Sequence, residues 1–425
     1  MTAASLNHTA PASRRFSTAW LVVALLVPVA LLNYLDRQLL AAMRGSIAHS
    51  IPELKQDDHW GMLPALFKWS YAIFSPLGGY IADRFSKRWV IAGSLFAWSG
   101  ATIATGNCHT LGQMEVVRAL MGVSEAFYIP AALALITEFH LGSTRSRAIG
   151  FHQMGIYCGV IIGGFSGYAA GEPTAAGYNP DQWRHVFDGC GVFGLLYALP
   201  LFFLLREPPR HDRAGVPHIG PGAAMKELFT TPSYILLAIC FTLPAVPGWV
   251  IRDWMPSILR EGFGTTQGMA GVLATVFVNV AAIAGAALGG LLADRLVRRT
   301  LRGRIFVSAI GLTIIACTLP GMGATTSLTA AVVFLTVYGL GWGCFDCNNM
   351  PILSQIARPE LRATGYGFMN LISVSLGGVA DYGFGMLRKN DVGTGVIFAG
   401  FAAAVVVAIV CMLLIKPRNT DTPLP

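Results

Sequence analysis

The chain reads as an all-α membrane protein of twelve transmembrane helices in two six-helix halves, and three observations predict it. Its 425 residues are 54% hydrophobic and only 12% charged, where a soluble domain carries about 25% charge; mean hydropathy is +0.57. The apolar residues fall into twelve stretches, each near the roughly 20 residues that cover a bilayer core. One short pattern also occurs twice, 211 positions apart: Gly79-Tyr80-Ile81-Ala82-Asp83-Arg84 follows the second stretch, and Gly290-Leu291-Leu292-Ala293-Asp294-Arg295 the eighth. A pattern repeated at matching positions marks a duplicated six-helix unit.

In order, the stretches are 17–43, 60–82, 89–107, 111–138, 147–171, 186–205, 232–259, 267–293, 304–323, 327–356, 363–388 and 393–415. Each must be helical, because a backbone in lipid has to satisfy its own donors and acceptors. The first has no small-residue cleavage site and runs on through charged residues, so it is not a cleaved signal peptide. The fifth holds Gly155, Gly159, Gly163 and Gly167 at four-residue spacing, a face for close helix packing rather than a phosphate loop. The long polar connection runs from Arg206 to Thr231, opens Arg-Glu-Pro-Pro-Arg and continues with Gly and Pro, the composition of a linker. A short helix from Ala223 to Phe229 is expected within it. The chain therefore divides into residues 1–205, a cytoplasmic linker 206–231, and residues 232–425.

Net charge is +8, and its placement sets the topology. With the N-terminus inside, 20 of the 30 basic residues lie on the cytoplasmic side and 6 outside. The positive-inside rule then puts both termini in the cytoplasm of a cell-membrane protein. The charges are spread over separate segments rather than one stripe, which excludes a nucleic-acid partner. Most of the eight cysteines lie inside spans, where Cys acts as a small hydrophobe. Cys344-Phe345-Asp346-Cys347 has a metal-like spacing but no second pair near it, so neither metal nor cofactor is expected.

A parallel duplication of six helices, polar at its centre, is the plan of a membrane transporter. No nucleophile elbow, P-loop or metal motif occurs, so neither an enzyme nor an ATP-driven pump is expected. A receptor built on such a fold would need an appended signalling domain, and the tails are 16 and 10 residues long.

The charges inside the spans are the candidate site. Each costs roughly 2.5–3.5 kcal/mol at mid-bilayer, so one kept there is a functional candidate. The bases are Arg37, Lys68, Arg118 and Arg252; the acids are Asp36, Glu125, Asp253, Asp346 and Asp381. Arg118 and Glu125 share a face of helix four about 10 Å apart, too far for a direct pair. Asp36 is the expected mate of Arg118. Glu125 is read as an acid with no fixed cation, able to carry a proton. Lys68 lies 15 residues before Asp83, so Arg37, Lys68 and Arg118 are expected to ring one level, a setting for an anionic substrate. A buried structural salt bridge, a snorkelling lysine and a plain charge network are the competing readings.

Glu125 and Asp346 each stand five residues before a proline, Pro130 and Pro351, so the duplication places acids at related spots and makes Asp346 a second proton-site candidate, against a packing role satisfied by Asn348 or Asn349. Arg252 and Asp253 read as an outer-mouth ion pair. His152 is a candidate relay or substrate contact, against a packing histidine. Tyr34 and Tyr157 are candidate hydroxyl donors, against aromatic packing.

The repeated Gly-x-x-Ala-Asp-Arg places an acid at a helix end beside a basic turn, where it can latch one conformation; Asp83, Arg84, Asp294 and Arg295 are the gating candidates, against plain topology anchoring. This motif resembles the signature loop between helices two and three of the major facilitator superfamily, over the whole chain. Leu32-Asn33-Tyr34-Leu35-Asp36-Arg37-Gln38, the run Arg118 to Ala126 and the Arg-Glu-Pro-Pro-Arg resemble the spinster-like transporters. The same Asn-Tyr-x-Asp-Arg and Arg-x6-Glu patterns resemble the anion:cation symporters. Gly159-Val160-Ile161-Ile162-Gly163-Gly164 lacks the proline that exporters of the superfamily carry there. The resemblance implies a twelve-helix rocker fold, a monomer, a central cavity, and proton coupling through Asp36 or Glu125. The expected function is proton-coupled movement of a small organic anion of sugar-acid or other carboxylate type; the alternative is export of a lipid-like or amphiphilic molecule.

Overall fold

The computed structural model describes residues 12–140, 144–207, 221–358 and 361–417. Twelve long helices follow one another: α1 (Ala12–Ala42), α2 (Asp57–Arg84), α3 (Lys87–Gly106), α4 (Leu111–Glu125 resuming as Tyr128–Phe139), α5 (Arg145–Gly164 with Ser166–Ala170) and α6 (Gln182–Leu204). The second set is α7 (Pro232–Phe263), α8 (Gln267–Val297), α9 (Gly303–Ala324), α10 (Leu328–Asp346 resuming as Asn349–Ile356), α11 (Arg362–Lys389) and α12 (Thr394–Leu414). Nine of the described helices are long and apolar enough to span on their own. The other three, α2, α3 and α11, turn their polar residues to protein rather than lipid: Lys68, Ser94, Thr102, Ser373 and Asp381 are all buried. A short helix, Pro221–Thr230, lies where one was expected before α7; half of the expected linker, 208–220, is outside the described residues.

The two prolines that follow the helix-four and helix-ten acids explain the breaks. Pro130 and Pro351 lack the N–H that would bond Ala126 and Cys347 four residues back, and each helix interrupts there. Glu125 and Asp346 are thus the last residues of their first segments. Close packing uses glycine: a Cβ at Gly159 would run into the Leu31 carbonyl, and one at Gly343 into Ala282. These contacts bring α5 onto α1 and α10 onto α8, as small residues do between membrane helices.

The face carrying the first and last described residues is called the termini face, and the opposite one the far face. The halves meet from the far face down to mid-depth. At the far face Gln267 holds Ser46 from both ends of its amide, at 2.9 and 2.8 Å, and Arg260 and the Gln267 N–H both reach Glu172. At mid-depth the Trp69 indole donates to the Ser375 carbonyl at 3.1 Å, and Gly164 abuts Thr275. Of the ion pairs seen at the termini face, Lys87–Glu138 and Arg304–Asp294 each stay within one half, and Arg358–Glu227 ties the second half to the linker helix before it. The bundle is sealed at the far face.

Candidate functional site

Below the seal lies a central cavity walled mainly by α7, α8 and α10. Its polar groups are Gln38, Tyr157, Arg252, Asn279, Asp346 and Asn370; its apolar wall includes Phe241, Trp249, Tyr338, Trp342 and Phe345. A smaller recess opens beside it and shares Trp249 and Arg252. Arg37, Lys68, Arg118 and Arg252 all line that recess, with Asp253. The three cations expected at one level therefore do meet in one space, and α7 adds a fourth.

Their partners differ from the expectation. Asp36 does not pair with Arg118: its Oδ2 accepts from the Thr102 hydroxyl at 3.0 Å, while Arg118 Nη1 lies 3.0 Å from the Met121 sulfur. Helix α1 is rotated so that Arg37, the next residue, meets α4 instead. Its Nη2 lies 2.7 Å from Glu125 Oε2 and its Nε 2.8 Å away, so Glu125 does have a fixed cation. The Arg37 guanidinium is further caged by the rings of Tyr34, Phe67 and Tyr71 at 4.7, 4.7 and 5.1 Å, a favourable setting for a cation.

Lys68 neither snorkels nor stands free. Its ammonium bonds Asp253 of α7 and Asp381 of α11, both from the other half, and lies 4.6 Å from the Trp249 ring. Arg252 and Asp253 are likewise not an outer-mouth pair. They sit about ten residues inside α7, where Asp253 takes Lys68 and Arg252 lies over Tyr34 and Trp249 at 5.5 and 5.1 Å. No carboxylate lies within 4 Å of Arg252 or Arg118 among the described residues, and Arg118 is only 2% exposed, with Nε and Nη2 unpartnered.

Asp346 is half-buried, lines the cavity and accepts from Asn349 at 3.2 Å. Tyr157 lines the same cavity, and Tyr34 stands between Arg37 and Arg252. His152 lies elsewhere: it is 2% exposed and its Nε2 is 2.9 Å from the Tyr128 hydroxyl, which itself reaches the Leu26 carbonyl. That is a packing histidine inside the first half, and it does not line the cavity. Of the gating candidates, Asp294 and Arg295 are exposed at the termini face, with Asp294 3.6 Å from Arg304; Arg84 stacks on Tyr80 at 4.3 Å. The side chain of Asp83 lies outside the described residues.

Sequence reasoning missed Arg252 as a recess cation and Asp253 and Asp381 as partners of Lys68. Their charge inside apolar spans was the available signal; their direction was not.

Comparison with known proteins adds four likenesses. The profile described as Major Facilitator Superfamily matches residues 26–380. Protein spinster of Drosophila melanogaster is 26% identical over 374 residues, 84% of this chain and 60% of that protein, so this chain spans less than two thirds of its length. The Bacillus subtilis (strain 168) protein named "Probable galactarate/D-glucarate transporter GudP" is 25% identical over 391 residues, 85% of this chain and 83% of that one. Among solved structures, that of a bacterial homolog to the human lysosomal transporter Spinster, inward-facing and unoccupied, superposes with a TM-score of 0.74 at 21% identity over 96% of each chain.

Proposed function

The chain belongs to the major facilitator superfamily, and we propose that this membrane transporter moves a small organic anion together with protons, by alternating access. The observation that carries the reading is the pair Arg118 and Arg252. One comes from each half, both line one recess, and neither has a carboxylate within 4 Å among the described residues. Two such cations in a dry recess are stable only with a counter-charge, and a substrate carboxylate supplies it in the geometry that guanidinium favours. Tyr34, Tyr157, Gln38, Asn279 and Asn370 would then meet hydroxyl or amide groups on the rest of the molecule. Asp36, Glu125 and Asp346 are the acids proposed to carry protons during the cycle. The basic residues gathered at the termini face support a cytoplasmic placement of both termini. The name of the B. subtilis relative supports a sugar-acid type of substrate.

The apolar wall of Phe241, Val278, Tyr338, Trp342 and Phe345 favours a second reading, an amphiphile with an anionic head. A thermal-shift screen of the purified protein against sugar acids, dicarboxylates, aromatic acids and lysolipids separates the two, because a ligand that binds only the folded form raises Tm. At least one carboxylate is expected to raise Tm, and its neutral amide to bind more than about tenfold worse, since a charge-assisted contact contributes roughly 1.5–3 kcal/mol. Arg118→Ala and Arg252→Ala should each abolish the shift. Hits confined to lysolipids would favour the amphiphile, and hits confined to neutral or cationic compounds would end the anion reading.

A further inference from the structure

Lys68, Asp253 and Asp381 form a cross-half triad with an unequal charge count. One ammonium from α2 faces a carboxylate from α7 and another from α11. Their side chains are 3%, 14% and 0% exposed, and Asp381 Oδ1 is buried with no partner. The triad therefore carries a formal charge of −1 in a place almost without water. It is also a mechanical joint: Gly61 abuts the Asp381 backbone and the Trp69 indole abuts Gly378, so α2 and α11 touch on both sides of it. The far face cannot open without drawing Lys68 away from both acids.

We propose that this triad is a proton-binding latch: a proton from water on the far side adds to a carboxylate oxygen of Asp381 or Asp253, the charge goes from −1 to zero, and Lys68 is released. The inference rests on the proton-coupled reading above and assigns the far-face step to residues that reading does not use. The charges facing the triad decide when the proton is taken. Arg37 of α1 is already matched by Glu125. Arg118 of α4 and Arg252 of α7 have no acid partner, line the same recess as Lys68 and Asp253, and so oppose proton uptake. Toward the far face, Arg44, Asp57, Glu261 and Arg388 begin two to three turns away and pair among themselves. A substrate anion on Arg118 and Arg252 would cancel the two opposing charges and raise the triad's affinity for its proton. By linkage, the proton would raise affinity for the anion by the same factor. Anion and proton are thus coupled through one recess, with no relay between distant sites.

The test reads far-face separation directly. Spin labels at Gln56→Cys and Thr326→Cys, with the exposed Cys158 and Cys317 replaced by Ser, report the distance between the halves by pulsed electron paramagnetic resonance. The measurement is made without substrate over pH 5 to 8, on monodisperse fractions. The wild-type background should open as pH falls. Arg252→Gln, which removes one opposing charge, should raise the midpoint by about one pH unit or more. Asp381→Asn should flatten the response, and Asp253→Asn, at the more exposed acid, is the second variant should the first not fold. A background far face that ignores pH, an Asp→Asn variant that keeps the background midpoint, or an unmoved midpoint in Arg252→Gln would each overturn the latch. Failure of the substrate reading is seen separately, as absence of any carboxylate hit in the thermal-shift screen.

Discussion

Helices α1 and α7 hold the same charge pair in opposite order, and the two halves use it in opposite ways. Eight residues after Pro28, α1 has Asp36-Arg37; eight residues after Pro244, α7 has Arg252-Asp253. In the first half both charges turn inward: Asp36 to Thr102 of α3 and Arg37 to Glu125 of α4. In the second half both turn out: Asp253 to Lys68 across the interface and Arg252 to the cavity. The acids of α4 and α10 follow the same division. Glu125 is fully buried on its own half's arginine, while Asp346 lines the cavity. A duplicated unit has kept its residue types and reversed their direction: the α1 pair is met within its own half, while the α7 pair faces the cavity and the opposite half.

Stability is where this difference should be largest. Arg37→Ala strands Glu125, an acid with 0% exposed side chain, and breaking a buried pair from one side costs about 3–5 kcal/mol. Its melting temperature in detergent should fall steeply. Arg252→Ala strands no carboxylate and should melt close to wild type while losing anion binding. Equal losses of Tm in the two variants would show that the second half's charges are structural too, and the comparison would break.

Coupling gives the next largest effect. Glu125→Gln mimics the protonated acid and removes the pH dependence of its step. It should still exchange substrate across a vesicle membrane but fail to accumulate it against a gradient. Asp346→Asn, at the related position but facing the cavity, should weaken affinity and reduce accumulation only in part, since Asp36 and Glu125 still carry protons. Full proton-driven accumulation by Glu125→Gln together with its loss in Asp346→Asn would reverse the assignment of the two acids.

The legibility of these features follows their range. Spans were readable because lipid demands long apolar runs; the breaks in α4 and α10 were not expected, although Pro130 and Pro351 stand beside them. Glu125 and Asp346 were found because each charge is costly in its helix wherever it points. Which group a charge meets was not readable. Asp36 and Arg37 are neighbours about 100° apart on a helix of 3.6 residues per turn, so a modest rotation of α1 decides which one reaches α4. Lys68 meets acids 185 and 313 positions away, and no local pattern encodes that. His152 looked like any other polar residue in an apolar span until Tyr128 supplied its partner.

The smallest effect belongs to the ring of charges at the far face. Arg44 and Asp57 from the first half alternate with Glu261 and Arg388 from the second. Arg44 is 2.5 Å from Asp57 and 3.6 Å from Glu261, and Arg388 is 2.9 Å from Asp57 and 2.5 Å from Glu261. Both halves contribute one charge of each sign, so the ring closes the far face without net charge. Glu261 is 46% exposed, and water at that rim screens the ring as it cannot screen the Lys68 triad below. The pairs that Glu261 makes at that rim contribute at most about 1 kcal/mol, so Glu261→Gln should raise the open fraction about fivefold or less. The labelling rate of Ser257→Cys, a buried position under the far-face recess, by a membrane-impermeant thiol reagent reads that fraction. Lys68→Met, which frees the buried joint, should speed labelling by a larger factor. If Glu261→Gln speeds it as much, closure resides in the exposed ring, and the buried triad is a passenger of the interface rather than its latch.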